Sequence, residues 1–463
     1  MALMKSISGI RGTIGGKPNS GLTPIDIVKY TAAYGSILLQ HNKNTCTVVI
    51  GRDGRISGEM VNALVTNTLI ALGINVVDLG LSTTPTVEMA VVWEHANGGI
   101  ILTASHNPKE WNALKLLNEK GEFISAADGE ALLQIAEANN FEFANVTKLG
   151  TITKGKTYRT EHIEAILALP LVQKTKISTA NFKIVVDAIN STGATFVPAL
   201  LQALGVTTVV VINSDVTGNF AHNPEPLPEH LTQLSNEVIA QKADLGIAVD
   251  PDVDRLCFVN EDGTFFGEEY TLVAIADYVL SKKKGATVSN LSSTKALKEI
   301  TQLKHGCTYF ASAVGEVNVV QLMKDKKAVI GGEGNGGVIY PELHYGRDAL
   351  VGIALFLSHL AEVGITISAL KKTYPNYIIS KNKIELNDDV DIKALFAKIE
   401  QLYSKHEINN IDGLKIAFNN DWVHLRPSNT EPIIRIYSES EHETTANNIA
   451  QKLIKDIREL INN

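Results

Sequence analysis

A serine stands in a polar segment that follows an apolar run, at the place where a strand should give way to a loop. Residues 103–108 read TASHNP, and residues 99–102 before them read GIIL. Ligands collect outside the carboxyl ends of strands in open α/β sheets, and Asn-Pro favours a turn. Ser105 is therefore placed to act as a nucleophile or phosphoryl carrier, with a serine that only stabilises a turn as the alternative. A serine hydrolase is disfavoured because the Gly-x-Ser-x-Gly pattern is missing.

Three aspartates alternate in a second segment, residues 250–255 with the sequence DPDVDR, which follows the apolar run 245–249. Alternate side chains of an extended segment point the same way, so the carboxylates of Asp250, Asp252 and Asp254 are expected to converge. Crowded carboxylates repel one another unless a cation compensates them. Hard oxygen ligands suit Mg²⁺ or Ca²⁺, and a trio leaves positions for waters and a phosphate oxygen, as Mg²⁺ prefers. The segment therefore predicts a Mg²⁺ site.

Two other interpretations of the aspartate segment are set aside. An EF-hand needs glycine at the sixth position of its loop and a helix on each side, whereas Arg255 stands there and residues 245–249 and 256–259 favour strands. Three solvated surface acids are disfavoured because apolar runs enclose the segment on both sides.

A glycine-rich segment, residues 331–337 with the sequence GGEGNGG, formally contains the dinucleotide pattern Gly-x-Gly-x-x-Gly. That pattern needs a helix to begin at its last glycine, whereas residues 338–341, VIYP, favour a strand that ends in proline. A loop that presents Glu333 and Asn335 to a polar ligand is the better interpretation. A plain flexible hairpin remains the alternative for this segment alone.

The last polar segment, residues 426–432 with the sequence RPSNTEP, lies between two predicted strands, with Arg435 beyond it. Arginine offers a planar pair of donors to phosphate, and Ser, Thr, Asn and backbone N–H groups add short donors around it. The segment indicates a phosphate clamp. A polar turn braced by prolines is the alternative.

The elements that must position these segments alternate in the manner of α/β domains with mainly parallel sheets. Two regions predict strands and helices in turn, and a third series is expected to open with a strand at 256–259. The tail predicts strands with only two helices, as in a smaller α+β domain. The predicted elements are strands at 47–50, 75–79, 99–102, 183–186, 208–212, 245–249, 377–386, 414–418, 422–425 and 433–437, and helices at 60–72, 194–204 and 271–280. The expected domains are residues 1–155, 156–254, 255–375 and 376–463.

Length, charge, cysteine content and the lengths of the apolar runs exclude several classes of protein. A length of 463 residues is too great for one core, and a formal net charge of −8 argues against general affinity for nucleic acid. Three widely spaced cysteines without a Cys-x-x-Cys pair predict reduced thiols: Cys46, Cys257 and Cys307. No apolar run is long enough for a membrane span or a signal peptide, so a cytoplasmic protein is expected.

Taken in order, the four polar segments resemble the phosphoserine, metal, sugar-specificity and phosphate-binding loops of the α-D-phosphohexomutase superfamily, and the resemblance spans the chain. It implies an α/β fold of three related domains with mainly parallel mixed sheets and a smaller C-terminal α+β domain around a central cleft. It also implies an enzyme that interconverts a hexose 6-phosphate and 1-phosphate through a phosphoserine and a bisphosphorylated sugar. A monomer or homodimer is expected, with no nucleic-acid or membrane partner.

The resemblance assigns roles to single residues. Ser105 would carry the phosphoryl group and share Mg²⁺ with Asp250, Asp252 and Asp254. Arg11 and Arg255 would neutralise the phosphoserine, His106 would lie beside it, and Lys115 would transfer a proton. Glu333 and Asn335 would contact sugar hydroxyls. The residues that would grip the non-reacting phosphate are Arg426, Ser428, Asn429, Thr430 and Arg435.

The sequence departs from common patterns of this superfamily in its loops. Pro251 and Val253 stand where glycine is frequent, as does Asn429, and Gly337 replaces a histidine. The carboxylates are kept, so the expectation of metal binding is unchanged. The GEGNGG loop resembles archaeal-type mutases, so glucosamine phosphate is the first expectation, and a broad phosphomannomutase/phosphoglucomutase is the alternative. A metal-dependent sugar phosphatase and a non-catalytic sugar-phosphate binding protein represent other classes.

Overall fold

The computed structural model describes residues 3–6, 9–42, 45–386, 390–427 and 433–462. The chain forms two compact units. The first contains Met1–Thr271 and Asn335–Leu370, and the second contains Leu272–Gly334 and Lys371–Asn463.

The elements of the first part of the chain alternate between strands and helices, as the apolar periodicity predicts. In chain order they are β1 (Leu3–Ser6), β2 (Gly9–Thr13), α1 (Pro24–His41), β3 (Thr47–Arg52), α2 (Gly58–Ala71), β4 (Asn75–Leu81), α3 (Thr84–Trp93), β5 (Gly98–Leu102), β6 (Trp111–Leu117), α4 (Ala126–Ala138), β7 (Ile152–Lys154), α5 (Arg159–Leu167), α6 (Lys174–Ala180), β8 (Lys183–Asp187), α7 (Gly193–Ala203), β9 (Thr208–Ile212), α8 (Thr232–Gln241), β10 (Leu245–Val249) and β11 (Leu256–Asn260).

The remaining elements contain the strand-rich tail. In chain order they are α9 (Glu268–Lys282), β12 (Thr287–Asn290), α10 (Lys295–Glu299), β13 (Tyr309–Ser312), α11 (Glu316–Lys326), β14 (Ile330–Glu333), β15 (Gly337–Ile339), α12 (Ala349–Val363), α13 (Ile367–Lys371), β16 (Ile378–Glu385), α14 (Ile392–Leu402), β17 (Glu407–Asn409), β18 (Leu414–Ala417), β19 (Trp422–Pro427), β20 (Ile433–Ser440) and α15 (Glu443–Asn462). Within the described residues, every helix falls short of the length or apolarity that crossing a bilayer requires.

The first sheet is mixed, with the strand order β1-β2-β6-β5-β3-β4-β7. Strand β3 pairs in parallel with β4 and β5, whereas β6 pairs antiparallel with β5 and β2. All five residues of β5 are buried, because apolar side chains cover both faces of the sheet. A central strand of this kind holds the residues that follow it in a fixed place.

The second sheet has the order β11-β10-β8-β9 and corrects one expectation. Strand β11 pairs antiparallel with β10, from Leu245 opposite Asn260 to Val249 opposite Leu256. The prediction that residues 256–259 open a third series is therefore wrong. The polar segment 250–255 connects the two strands of a hairpin, and two adjacent antiparallel strands can share such a short connection. Helix α12 covers this hairpin, where Phe356 stacks on Phe258 with ring centroids 3.9 Å apart.

The second unit contains a parallel arrangement of β13, β12 and β14 and a separate antiparallel sheet of the order β16-β20-β19-β18-β17. Helices α14 and α15 cover one face of the antiparallel sheet with a core that includes Leu395, Ile399 and Leu453. The α/β class and the smaller α+β tail are thus confirmed. The bounds of the four expected domains stay a prediction.

Candidate active site

Ser105 lies in a tight turn that begins as β5 ends. Its φ is +50°, in the left-handed region that residues other than glycine seldom adopt. The turn is closed by Asn107 N–H, which donates to Ala104 O at 3.0 Å, and by Ser105 N–H, which donates to Thr103 Oγ1 at 2.9 Å. The Ser105 hydroxyl donates to Asp250 Oδ2 at 2.7 Å. The strained turn therefore directs this hydroxyl at the aspartate segment.

The guanidinium of Arg55 holds the Ser105 turn from behind. Arg55 is buried, and its Nη atoms donate to four backbone carbonyls, those of Ser105, Asn107, Pro108 and Trp111. Its Nε donates to Asp53 Oδ2 at 3.0 Å, and the Thr103 hydroxyl donates to the same oxygen at 2.7 Å. One side chain therefore fixes most of the backbone around the serine, since a guanidinium offers five donors in one plane.

Replacement of Arg55 by lysine is expected to displace Ser105 and lower kcat. A lysine ammonium has three donors, so it leaves buried carbonyls without partners, each at about 1–3 kcal/mol. A shift of the serine by about 1 Å costs roughly 10²-fold in rate. Steady-state mutase kinetics of Arg55→Lys should show a fall in kcat of that size. Arg52→Lys is the control, because Arg52 pairs with the exposed Glu59, and it should stay within about twofold of the parent. Equal kcat for Arg55→Lys and the parent would contradict this role.

The three aspartates converge on one spot, as expected, but not through an extended segment. One carboxylate oxygen from each of Asp250, Asp252 and Asp254 lies within 4.8 Å of the others. The backbone turns sharply here: Val253 N–H donates to Asp250 O at 3.1 Å, and Val253 has a φ of +61°. The turn of the β10–β11 hairpin brings the carboxylates together, so the predicted strand-like alternation is wrong. We call residues 250–254 the metal loop.

The carboxylates of the metal loop fit a divalent cation. All three are fully buried, and among the described residues Oδ1 of Asp252 and Oδ1 of Asp254 have no hydrogen-bond partner. Buried carboxylate oxygens normally have partners, and unpaired ones clustered together suit a hard cation. These residues can therefore hold a divalent metal ion.

Two cationic side chains of the protein also contact the metal loop. Lys115 Nζ lies 2.7 Å from Asp252 Oδ2 and 3.2 Å from Asp254 Oδ2, and Arg347 Nη2 lies 2.7 Å from Asp254 Oδ2. Burial alone would lower the pKa of Lys115, but the two carboxylates outweigh burial and raise it above its usual value. Asp250 differs, because burial and repulsion by Asp252 and Asp254 raise its pKa well above the usual range. A cation bound beside Asp250 would therefore favour its ionised form.

One imidazole and two arginines lie near the Ser105 turn or directly after the metal loop. His106 Nδ1 lies 3.4 Å from Ser105 Oγ, and an Nη of Arg11 donates to Asn107 Oδ1 at 2.7 Å. Arg255 pairs with Glu225 Oε1 at 3.0 Å and follows the metal loop directly. Burial and the charge of Arg255 lower the pKa of Arg11 to about 10, and burial with both arginines lowers that of His106 well below its usual value. Because positive groups that repel one another are stabilised by a negative charge between them, this arrangement favours a bound anion.

The residues predicted to bind substrate lie apart in sequence and belong to both units. In the first unit, Asn335 Oδ1 accepts the N–H of Gly337. In the second, Glu333 ends β14, and its Oε1 accepts the Asn290 amide at 2.8 Å and Gly315 N–H at 3.1 Å. Arg426 and Arg435 are opposite one another on β19 and β20. Ser428, Asn429 and Thr430 lie outside the described residues.

Three residues at the site were not predicted from the sequence. Arg55 follows the strand at 47–50 after a short polar segment, so the rule that located Ser105 could have found it. Thr84 donates its hydroxyl to Asp252 Oδ2 at 2.5 Å, and Arg347 contacts Asp254. For Arg347 the signal is the Arg-Asp pair directly before the apolar run 349–357, since Asp is a frequent helix N-cap. Nothing near Thr84 in sequence pointed to the aspartates.

Four family models match consecutive parts of the chain. They describe phosphoglucomutase/phosphomannomutase, with α/β/α domain I at residues 4–143, domain II at 160–263, domain III at 267–377 and the C-terminal domain at 383–456.

Relatives match over almost the whole length. A phosphoglucomutase/phosphomannomutase of Thermococcus kodakarensis is 34% identical over 460 residues, which covers 97% of this chain and 98% of the relative. A probable phosphoglucosamine mutase of Pyrococcus abyssi is 35% identical over 456 residues, with 97% of each chain covered. The crystal structure of a phosphoglucomutase/phosphomannomutase family protein from Burkholderia thailandensis has a TM-score of 0.83 at 26% identity and covers 99% of this chain and 98% of that one.

Proposed function

Because this chain belongs to the phosphoglucomutase/phosphomannomutase family of phosphosugar mutases, we propose that it interconverts a hexose 6-phosphate and a 1-phosphate through a phosphorylated Ser105. The enzyme is an isomerase-class phosphotransferase. The role of Ser105 is supported by the 2.7 Å contact between its hydroxyl and Asp250 Oδ2, in a turn whose backbone Arg55 holds in place. A nucleophile at a prepared metal site is what phosphoryl transfer needs.

The first transfer moves a phosphoryl group from the enzyme to the sugar. A free hydroxyl oxygen of the sugar phosphate bonds to the phosphorus, the bond between phosphorus and Ser105 Oγ breaks, and the product is a bisphosphorylated sugar. Lys115 is the proposed carrier of the proton that moves from the sugar hydroxyl to Ser105. Because its raised pKa keeps it an ammonium, it would first give a proton to Ser105 Oγ as the phosphorus–oxygen bond breaks and then take up the proton of the sugar hydroxyl. The bisphosphate then turns end for end, and its other phosphoryl group returns to Ser105 by the reverse of these steps.

Charge neutralisation is the main requirement of this transfer, because the transition state spreads charge over the phosphoryl oxygens. Mg²⁺ held by Asp250, Asp252, Asp254 and Ser105 would neutralise part of that charge. Arg11, which donates to Asn107, and Arg255, which follows the metal loop, are proposed to neutralise the rest, and His106 lies beside the serine. Glu333 and Asn335 are proposed to bind sugar hydroxyls, and Arg426, Arg435 and residues 428–430 to bind the other phosphate.

Glucosamine phosphate is the proposed substrate, with a broad phosphomannomutase/phosphoglucomutase as the second candidate. The probable phosphoglucosamine mutase from Pyrococcus abyssi supports the first, and the Thermococcus kodakarensis enzyme supports the second. We expect kcat/KM for glucosamine 6-phosphate to exceed that for mannose and glucose 6-phosphates by about 10-fold or more, the size of effect that contacts to one substituent produce.

The sugar assay needs products identified, not only substrate consumed. Phosphorus NMR would distinguish a 1-phosphate from released inorganic phosphate in the same sample. A preference for mannose or glucose would favour the broad-specificity enzyme. Release of phosphate with no 1-phosphate isomer would contradict a mutase and indicate a phosphatase.

A further inference from the structure

Two helices begin at the metal loop, with their first N–H groups bonded to it. The first N–H of α3, that of Thr84, donates to Asp252 O at 2.9 Å, and the first N–H of α12, that of Ala349, donates to Val253 O at 3.2 Å. The first N–H groups of a helix have no partner within the helix, so they are free to hold another part of the chain. Consecutive carbonyls of the metal loop are therefore fixed by two different helices.

Both helices also support the carboxylates themselves. The Thr84 hydroxyl of α3 donates to Asp252 Oδ2 at 2.5 Å. Arg347, two residues before α12 begins, contacts Asp254 Oδ2 at 2.7 Å. The positions of Asp252 and Asp254 thus depend on where these two helix starts lie relative to one another.

The side chain of His162, on α5, joins the two helix starts. Its Nε2 lies 2.9 Å from Asp348 Oδ2, and Asp348 caps α12 by accepting the N–H groups of Leu350 and Val351. Its Nδ1 lies 2.8 Å from Thr86 Oγ1, which lies 2.6 Å from Oγ1 of Thr83, the cap of α3. The imidazole therefore connects one helix cap to the other.

The direction of these hydrogen bonds follows from their chemistry. A carboxylate can only accept, so Nε2 of His162 carries a hydrogen toward Asp348. In a neutral imidazole Nδ1 then accepts from the Thr86 hydroxyl, and Thr86 accepts from Thr83. His162, Asp348, Thr83 and Thr86 are fully buried, so a lost partner in this chain of bonds is not replaced by solvent.

A second imidazole supports the same carboxylate. His344 Nε2 lies 3.4 Å from Asp348 Oδ2, and its Nδ1 lies 3.4 Å from Glu88 Oε2 on α3. The rings of His162 and His344 meet edge to face with centroids 6.4 Å apart. Burial would raise the pKa of Asp348, but the imidazoles of His162 and His344 outweigh burial and lower it, so this residue stays a carboxylate.

We infer that His162 is a positioning residue for the metal loop: by joining the caps of α3 and α12 it fixes the two helix starts that hold Asp252, Val253 and Asp254. His162 does not touch the reacting groups. It acts through Thr86 and Asp348, as partners outside the ligand shell orient metal ligands in many proteins. The inference rests on the proposed metal site.

The test measures metal binding as well as turnover. Mn²⁺ alone, added to the full-length protein and followed by electron paramagnetic resonance, gives a dissociation constant. Loss of a partner outside the ligand shell typically weakens metal binding about 10- to 100-fold, and we expect that for His162→Leu. His162→Gln keeps an amide donor that can reach Asp348, so it should recover part of the affinity. The Mg²⁺ concentration for half-maximal mutase activity should rise from the parent to His162→Gln and be highest for His162→Leu.

His305→Leu is the matched control. His305 is half-buried in the second unit, its Nε2 lies 2.7 Å from Asp277 Oδ1, and its Nδ1 lies 3.0 Å from Lys284 Nζ. Its removal should lower thermal stability but leave the Mn²⁺ constant unchanged. Unchanged Mn²⁺ affinity in folded His162→Leu would overturn the inference; should that variant not fold, unchanged affinity in His162→Gln would do so. If the parent itself binds no Mn²⁺, the metal site of the proposed function fails and this inference with it.

Discussion

Substitution of Ser105 by alanine should abolish mutase turnover, with kcat lower by about 10⁴-fold or more, because the group that receives and returns the phosphoryl moiety is gone. Substrate binding should change little, since the Ser105 side chain contacts Asp250 and His106 rather than the residues proposed to hold the sugar. The turn itself should persist, because Arg55 and Thr103 hold its backbone and not the hydroxyl.

Two measurements make the Ser105→Ala result specific. Fixed-time assays with excess hexose bisphosphate test whether added bisphosphate restores turnover to the variant, and we expect that it does not. Ser358→Ala removes another buried hydroxyl, one that donates within α12 to Ala354 O, and it should retain turnover within about threefold. Turnover by Ser105→Ala near the parental rate would remove the phosphoserine from the mechanism.

Substitution of Asp250 by asparagine should lower kcat by roughly 10²- to 10³-fold and at the same time raise the Tm of the metal-free protein. The two effects have one cause. Asp250 is buried beside two other carboxylates, and burial and their repulsion raise its pKa well above that of an aspartate in the unfolded chain. At neutral pH the metal-free fold therefore loses free energy whether Asp250 stays charged or takes up a proton, whereas a bound cation favours the charge. Asparagine is nearly isosteric and its oxygen can still accept the N–H groups of Asp254 and Arg255, as Asp250 Oδ1 does at 3.1 Å.

Thermal unfolding with and without millimolar Mg²⁺ checks this prediction. Mg²⁺ should raise the Tm of the parent, since a ligand that binds only the folded state stabilises it. The Asp250→Asn variant should lose most of that increase. Asp187→Asn is the control, because Asp187 is a buried aspartate of the same sheet that bonds to His222 and Asn213, and it should retain the Mg²⁺ response. A lower metal-free Tm for Asp250→Asn, or a full Mg²⁺ response, would contradict the account.

Much of the fold was predictable because local patterns decided it. The buried strand β5 and the strand β10 are apolar runs that end in polar segments, and their limits differ from the predicted ones by at most one residue. The placement of β11 was not predictable from the same reasoning. An apolar strand after a polar loop can begin a new sheet or return antiparallel, and the choice depends on pairing with β10, a contact that periodicity does not encode.

The site was predictable to the extent that its chemistry is written in short segments. Ser105 and the three aspartates each follow a strand, β5 or β10, so a general rule about the carboxyl ends of strands marks both segments as candidate sites. The two strands belong to different sheets, so that rule does not bring the segments together, and only the resemblance to the superfamily implied that they meet. The residues that hold Ser105 and the aspartates in place could not be predicted, because each lies in another part of the chain. Arg55 lies 50 residues before Ser105, and Arg347 lies 93 residues after Asp254. The left-handed turns at Ser105 and Val253 were also unforeseen, since both residues disfavour that conformation and tertiary contacts impose it.

The most direct test of the central proposal is to find which residue carries the phosphoryl group. Protein incubated with a hexose 1,6-bisphosphate and Mg²⁺ would be digested and its phosphopeptides sequenced by tandem mass spectrometry. We expect one phosphoryl group, on Ser105, that disappears when a hexose 6-phosphate is added. A phosphoryl group on another residue, or active turnover with Ser105 never modified, would contradict it.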